Sequence, residues 1–157
     1  MNVKLLLALL LLITGTCVAQ DYIGDTRKKV RKNLEKYIQS TNVSSKIYET
    51  DSSLVLLLDD PNYKPVDFVY LFDKDDQCIA ELRSGCDTCI IKFMEDALDR
   101  TTYQWKQISP AKFISNYRYR LSMELLGIEK GSLLAVRKLN LSRGAYLRLR
   151  NAKKEEF

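Results

Sequence analysis

The sequence contains no histidine, and after residue 20 it contains no long hydrophobic run. Without histidine, Ser-His-Asp and Cys-His catalytic sites cannot form, and most transition-metal sites are excluded as well. Internal apolar runs such as LVLLL at 54–58 are far shorter than the roughly 20 residues that span a bilayer. The remaining composition, with 46% hydrophobic and 29% charged residues, is ordinary for a globular domain.

The N-terminus has the pattern of a secretory signal peptide. A short positive start precedes the nine apolar residues at 5–13, and Cys17 and Ala19 occupy the −3 and −1 positions of a small-residue cleavage site. We therefore predict a signal peptide at 1–19 and a mature chain that begins at Gln20. The protein is expected to be exported, to the periplasm or the extracellular space.

Cys17 also allows a second interpretation of the N-terminus. A lipoprotein signal places a cysteine directly after a small residue, and that cysteine becomes the lipidated N-terminus. Thr16 is a poor match for the preceding position. An outer-membrane lipoprotein that is lipidated at Cys17 is therefore the less favoured alternative.

Hydrophobic periodicity predicts one α+β domain at 20–150, followed by a polar tail at 151–157. Helical spacing of apolar residues appears at 27–40 and again after residue 86, and a period of two dominates 45–83 and 102–139. This order predicts a two-layer sandwich. It consists of an antiparallel sheet of about six or seven strands with two helices packed on one face.

Three segments have less distinct patterns. Residues 110–116 are predicted to form a helical turn, because Pro110 would occupy a favoured first helical position. Alternation over 117–128 predicts one continuous strand. Tyr146, Leu147 and Leu149 alternate in strand register, so the residues after 140 are predicted to begin as a short strand and to end as the polar tail.

Charge is segregated along the mature chain. Residues 20–48 carry a net charge of +4, residues 49–99 a net charge of −9, and residues 100–157 a net charge of +9. The simplest interpretation is that acidic and basic segments neutralise each other in the fold. The alternative is a basic face that meets an anionic surface such as lipid headgroups. Outside the cytoplasm, nucleic acid is not an expected partner.

The C-terminal segment contains no acidic residue from 130 to 154. A solvated edge strand that is protected by charges explains this pattern without a function. The alternative is a contact with an anionic membrane surface, for which the candidate residues are Arg137, Lys138, Arg143, Arg148 and Arg150.

The mature chain has three cysteines, Cys78, Cys86 and Cys89. Structural zinc normally needs four ligands, so no metal site is predicted. An oxidising compartment favours a disulfide, either Cys86–Cys89 or a pair that uses Cys78. The second pairing assumes that Cys78 shares a buried strand face with Ala80 and Leu82.

The spacing of Cys86 and Cys89 also allows a thiol/disulfide protein. If Ser84 or Asp87 caps the following helix, the helix dipole would lower the pKa of a cysteine in its first turn. Asp87, between the two cysteines, opposes this effect, and no proline follows a Val-Thr or Ile-Thr pair as in the thioredoxin cis-proline loop. A CxxC oxidoreductase is therefore an alternative hypothesis.

Two resemblances add expectations about the role of the protein. Ile23-Gly24, Val30 and FDKDD at 72–76 resemble the opening of SmpA/OmlA-type envelope domains, which implies an envelope-assembly accessory lipoprotein. The whole chain resembles small exported proteins of the Bacteroidetes that have a signal peptide and often begin with glutamine after cleavage. That family has no assigned activity to transfer.

We therefore predict a non-enzymatic, exported interaction module without a cofactor. Its expected partner is a protein or an envelope component, and the sequence leaves its oligomeric state open. The two alternatives are a periplasmic thiol/disulfide protein that uses Cys86 and Cys89, and an envelope-assembly accessory lipoprotein.

Overall fold

The computed structural model describes residues 22–41, 44–59 and 65–152. The predicted signal peptide and most of the predicted polar tail lie outside these residues. The described helices are α1 (Arg27–Ser40), α2 (Asp87–Leu98) and α3 (Arg143–Asn151). No helix among them is both long and apolar enough to cross a membrane. The described strands are β1 (Ser44–Glu49), β2 (Ser53–Asp59), β3 (Val66–Phe72), β4 (Cys78–Gly85), β5 (Lys106–Ser109), β6 (Lys112–Ile114), β7 (Leu121–Ile128) and β8 (Gly131–Lys138).

The strands form one antiparallel sheet in the order β1-β2-β3-β4-β8-β7-β6-β5. Each half of the sheet is a four-stranded meander that follows a helix, α1 before β1–β4 and α2 before β5–β8. The halves meet where β4 pairs with β8, with Leu82 opposite Ala135. The predicted α+β class and antiparallel sheet are confirmed. The described residues contain eight strands and three helices, where six or seven strands and two helices were expected.

The sequence missed β6 and α3 for local reasons. Pro110 lies in the tight turn between β5 and β6, where Ser109 pairs with Lys112, so it does not begin a helix. The helix α3 begins after Ser142, whose hydroxyl accepts a hydrogen bond from the backbone N–H of Ala145 at 3.3 Å. Such a side-chain cap starts a helix at a segment whose apolar spacing also fits a strand.

One face of the sheet is covered by α1 and α2. Val30 and Leu34 of α1 pack over Leu54 and Phe72 of the first meander. Ile90 of α2 belongs to a second cluster, which consists of Val66, Ile90, Phe113, Leu121, Met123, Leu134 and Val136. Phe68 of β3 packs against both clusters, so both helices lie on the same face of the sheet, as predicted.

Two arginines of the basic helix α1 contact acidic residues of the first meander. The guanidinium of Arg27 donates to Asp76 at 2.7 Å and to the carbonyl oxygens of Thr50 and Asp51, both at 2.7 Å. Arg31 forms an ion pair with Glu49 of β1. These contacts pair two basic residues of α1 with acidic residues of the first meander.

A charged pair lies buried under the helices at the centre of the sheet. Glu81 and Arg83 of β4 are 1% and 5% exposed, and Arg83 Nη2 lies 3.2 Å from Glu81 Oε2. Glu81 also accepts the backbone N–H of Tyr22, and the Arg83 guanidinium lies 5.2 Å from the centre of the Phe93 ring of α2. The pair therefore connects the N-terminal segment, β4 and α2.

We expect substitution of one residue of this pair to lower the free energy of unfolding more than substitution of both residues. Glu81→Ala or Arg83→Ala leaves the other charge buried, which lowers the free energy of unfolding by about 3–5 kcal/mol. The double variant Glu81→Leu/Arg83→Met buries no charge and should lose less than either single variant. Urea unfolding followed by circular dichroism measures all three. A double variant less stable than both single variants would contradict the expectation.

Candidate functional site

Cys86 and Cys89 form a disulfide at the start of α2, with their Sγ atoms 2.02 Å apart. Cys86 is the N-cap of this helix, and its Sγ accepts the backbone N–H of Cys89 at 3.2 Å. The cap is therefore neither Ser84 nor Asp87. Asp87 is the first helical residue, and its carboxylate accepts a hydrogen bond from the Ser132 hydroxyl of β8 at 2.7 Å. The CxxC segment thus connects α2 to the sheet.

Cys78 is a free, fully buried thiol beneath α1. The register shifts between Leu71 and Phe72, so that Phe72 pairs with Cys78 and Leu71 with Ala80. Cys78 therefore faces the α1 cluster, whereas Ala80 and Leu82 face the other side of the sheet, contrary to expectation. Burial, together with the nearby Glu81 carboxylate, raises the pKa of Cys78 to about 12. The alternative disulfide through Cys78 is not formed.

Acidic side chains in the described residues do not gather into a potential metal-binding cluster. In the turn between β3 and β4, the Asp73 carboxylate accepts the backbone N–H groups of Asp75 at 3.0 Å and Gln77 at 2.9 Å. These bonds are typical of an aspartate that stabilises a tight turn.

The structure distributes the five predicted anion-contact residues over different surfaces. Arg137 forms an ion pair with Glu124 at 3.2 Å, and Lys138, one residue later, points to the opposite face of β8. Arg150 donates to the carbonyl oxygen of Gln104 at 2.9 Å. Arg143 lies over the ring of Tyr117 at 5.8 Å, and Arg148 is exposed on α3.

Tyr146 of α3 fixes the turn before β7. The turn occupies 117–120, so β7 begins at Leu121 and the predicted continuous strand over 117–128 is wrong. The buried Tyr146 hydroxyl lies 3.0 Å from the Ser115 hydroxyl and donates to the carbonyl oxygen of Leu121 at 3.3 Å. Burial raises the pKa of Tyr146 above its usual value. The helix thus positions Arg118 and Arg120 in a turn rather than in a strand.

The second face of the sheet carries apolar side chains and is covered by neither α1 nor α2. Helix α3 packs against β5, the edge strand of the sheet. Strand pairing aligns one row of this face across seven strands: Tyr48, Val55, Val69, Leu82, Ala135, Glu124 and Lys112. The same registers place Leu57, Leu71, Leu126, Ile128 and Leu133 on this face. We call this surface the open sheet face.

Several large apolar side chains of the open sheet face are exposed to solvent. Tyr48 on β1 is 50% exposed, and Leu126 and Ile128 on β7 are 37% and 43% exposed. Val69 and Leu82, between them, are half-buried by neighbours in the same face. A contiguous exposed apolar surface of this kind is typical of a protein-interaction site.

Comparison of the chain with protein-family models, with curated proteins and with solved structures finds no match. The open sheet face and the disulfide are therefore interpreted from their own residues, and the resemblance to SmpA/OmlA-type domains stays a prediction.

We expect the chain from Gln20 to contain one free thiol and one disulfide. Intact-mass analysis after alkylation should find no modified cysteine in the native protein, because Cys78 is buried. Denaturation without reductant should give one modified cysteine, and reduction should give three. Modification of two or more cysteines before reduction would contradict the Cys86–Cys89 pairing.

We also expect the thiol of Cys78 to make stability depend on pH above 9. The unfolded thiol ionises near its ordinary pKa of 9.0, whereas the folded thiol stays protonated up to about 12. The unfolded state therefore loses its proton first, and the thiol of Cys78 by itself should lower the free energy of unfolding by about 1 kcal/mol between pH 8.5 and 10.

The control for this measurement is Cys78→Ala, which removes the contribution of the thiol. Both proteins should carry Cys86→Ser and Cys89→Ser, so that thiol–disulfide exchange cannot occur during urea unfolding. Tyr22, Tyr70 and Tyr146, whose pKa values are also raised, contribute equally to both proteins, so the difference between the two proteins isolates Cys78. Equal pH dependence in the two proteins would show that Cys78 has no role in it.

Proposed function

We propose that this chain is an exported, non-enzymatic binding domain that contacts a protein partner through the open sheet face. The observation that supports the proposal is the contiguous apolar surface across β1–β4, β8 and β7, on the side away from α1 and α2. Burial of such a surface against a partner supplies the main favourable free energy in most protein associations.

The charges around the open sheet face favour an acidic partner. Asp67 and Glu124 are acidic residues of this face whose side chains the structure describes, and Glu124 already contacts Arg137 at 3.2 Å and Lys112 at 3.8 Å. Four cations share the face: Lys46, Lys106, Lys112 and Arg137. Since cations exceed anions, the expected partner has an apolar centre flanked by aspartate or glutamate side chains.

The disulfide supports a second candidate function, a periplasmic thiol/disulfide protein. Cys86 lies at the N-terminus of α2, where the helix dipole stabilises a thiolate after reduction. Its position beside the Asp87 carboxylate opposes this stabilisation. If this candidate is correct, the thiolate absorbance of the reduced protein titrates well below pH 8. A normal cysteine pKa excludes the candidate.

Site-specific photo-crosslinking in the source cells tests the open sheet face. A photoreactive phenylalanine at position 48 or 126 should give a discrete adduct with another protein, and the crosslinked peptide should be rich in aspartate and glutamate. The matched control is position 32 on the exposed side of α1, which should give no such adduct. Adding Val69→Lys to the position 126 variant should abolish its adduct, because it places a charge in the middle of the apolar surface.

The possible outcomes distinguish the occupants of the face. An adduct with the mass of two copies of this chain would show that the open sheet face mediates self-association and does not bind a different protein. Equal adducts from positions 48, 126 and 32 would show that the open sheet face has no special role. Thermal unfolding must show that the Val69→Lys protein is folded. Only then is the loss of its adduct evidence for a contact through the open sheet face.

A further inference from the structure

A basic, aromatic cavity lies on the side of the sheet that carries α1 and α2, at the start of β7 and the end of β8. Its volume is about 270 Å³. Three cations line it, Arg118, Arg120 and Lys138, together with the rings of Tyr103 and Tyr119. Leu121 and Ile23 complete an apolar wall. The cavity is separate from the open sheet face, so each can be tested without the other.

The cations of the cavity have no acidic counterpart in the described part of the chain. No carboxylate lines the cavity, and none of Arg118, Arg120 and Lys138 forms an ion pair with a described residue. Three uncompensated positive charges around one concave space repel each other. An anion that enters the cavity relieves this repulsion.

Aromatic rings hold the two arginines near the cavity. The Arg118 guanidinium lies 5.7 Å from the centre of the Tyr119 ring, and that of Arg120 lies 5.9 Å from the centre of the Tyr117 ring. Arg143 of α3 approaches the same Tyr117 ring at 5.8 Å. Cation–π contacts limit the rotamers of these side chains, which reduces the entropy that binding would cost.

The backbone of Arg120 has an unusual conformation that the surrounding structure maintains. Its φ angle is 53°, in the left-handed region that a bulky residue rarely adopts. Its carbonyl oxygen accepts the N–H of Leu139 at 2.7 Å, and its N–H donates to the carbonyl oxygen of Asn116 at 3.3 Å. The fold therefore fixes the direction in which Arg120 leaves the turn.

We propose that this cavity binds an amphiphilic anion, a phosphate or carboxylate attached to an apolar or aromatic group. The arginines provide hydrogen-bond donors in the geometry that oxyanions require, and Lys138 adds a third positive charge. The tyrosine rings and Leu121 contact the apolar part. Soluble aromatic phosphates and anionic lipids both provide an anion that is attached to an apolar or aromatic group.

Isothermal titration calorimetry on the chain from Gln20, at low ionic strength, tests the soluble source with phenyl phosphate and with inorganic phosphate. Sedimentation with phosphatidylglycerol vesicles and phosphatidylcholine vesicles tests the lipid source. Phenyl phosphate should bind at one site and more tightly than inorganic phosphate, or the protein should bind only the anionic vesicles. Either result supports the proposal and identifies the source of the anion.

The variants decide whether binding occurs in the cavity. Arg120→Gln and Lys138→Gln should each weaken binding about tenfold, as expected for the loss of a charged hydrogen bond. Arg148→Gln is the matched control, because it removes the same charge from α3 outside the cavity. Absence of binding to both sources overturns the proposal, and so does equal weakening by Arg148→Gln. Since Lys138 lies outside the strained turn, its variant remains informative if Arg120→Gln unfolds.

Discussion

The buried ion pair between Glu81 and Arg83 is the constraint on which the arrangement of the fold depends. It lies on β4, the strand that joins the two meanders, and on the face that both helices cover. A charge buried in that position is tolerated only when its partners are in place. Glu81 therefore needs the N–H of Tyr22, and Arg83 lies against Phe93 of α2. These contacts set the positions of the N-terminal segment and of α2 relative to the sheet.

The open sheet face is a consequence of placing α1 and α2 on the same side. The order of the strands brings β4 and β8 together, so the two meanders extend in opposite directions from one central pair. Each helix covers its own meander, and the only other described helix, α3, packs at the edge strand β5. The opposite side of the central strands is then left with Leu82 and Ala135 in its middle row. The exposed apolar side chains beside this row, Tyr48, Leu126 and Ile128, are the reason that the proposed protein contact is assigned to this face.

Sequence patterns predicted the elements whose periodicity is long and undisturbed, and they failed where a local interaction changes the backbone direction. The helix α1 and the strands between residues 45 and 83 follow from apolar spacing alone. The face of Cys78 could not be predicted, because the register shift after Leu71 reverses the alternation at that point. Tyr146 belongs to a segment whose spacing fits a strand as well as a helix, and the helix is favoured by the Ser142 cap and by the contacts of the Tyr146 hydroxyl with Ser115, Asn116 and Leu121.

The basic C-terminal third of the chain shows why net charge alone did not locate a binding site. Two arginines of α1 are paired with acidic residues of the first meander, Arg27 with Asp76 and Arg31 with Glu49. Arg137 and Lys138 are adjacent in sequence, yet one forms an ion pair on the open sheet face and the other lines the cavity on the opposite side. Successive side chains of a strand point to opposite faces of the sheet. Neighbouring basic residues in a strand therefore lie in two different environments. The turn at 117–120 places Arg118 and Arg120 beside Lys138, and that location follows from the position of Tyr146 and α3.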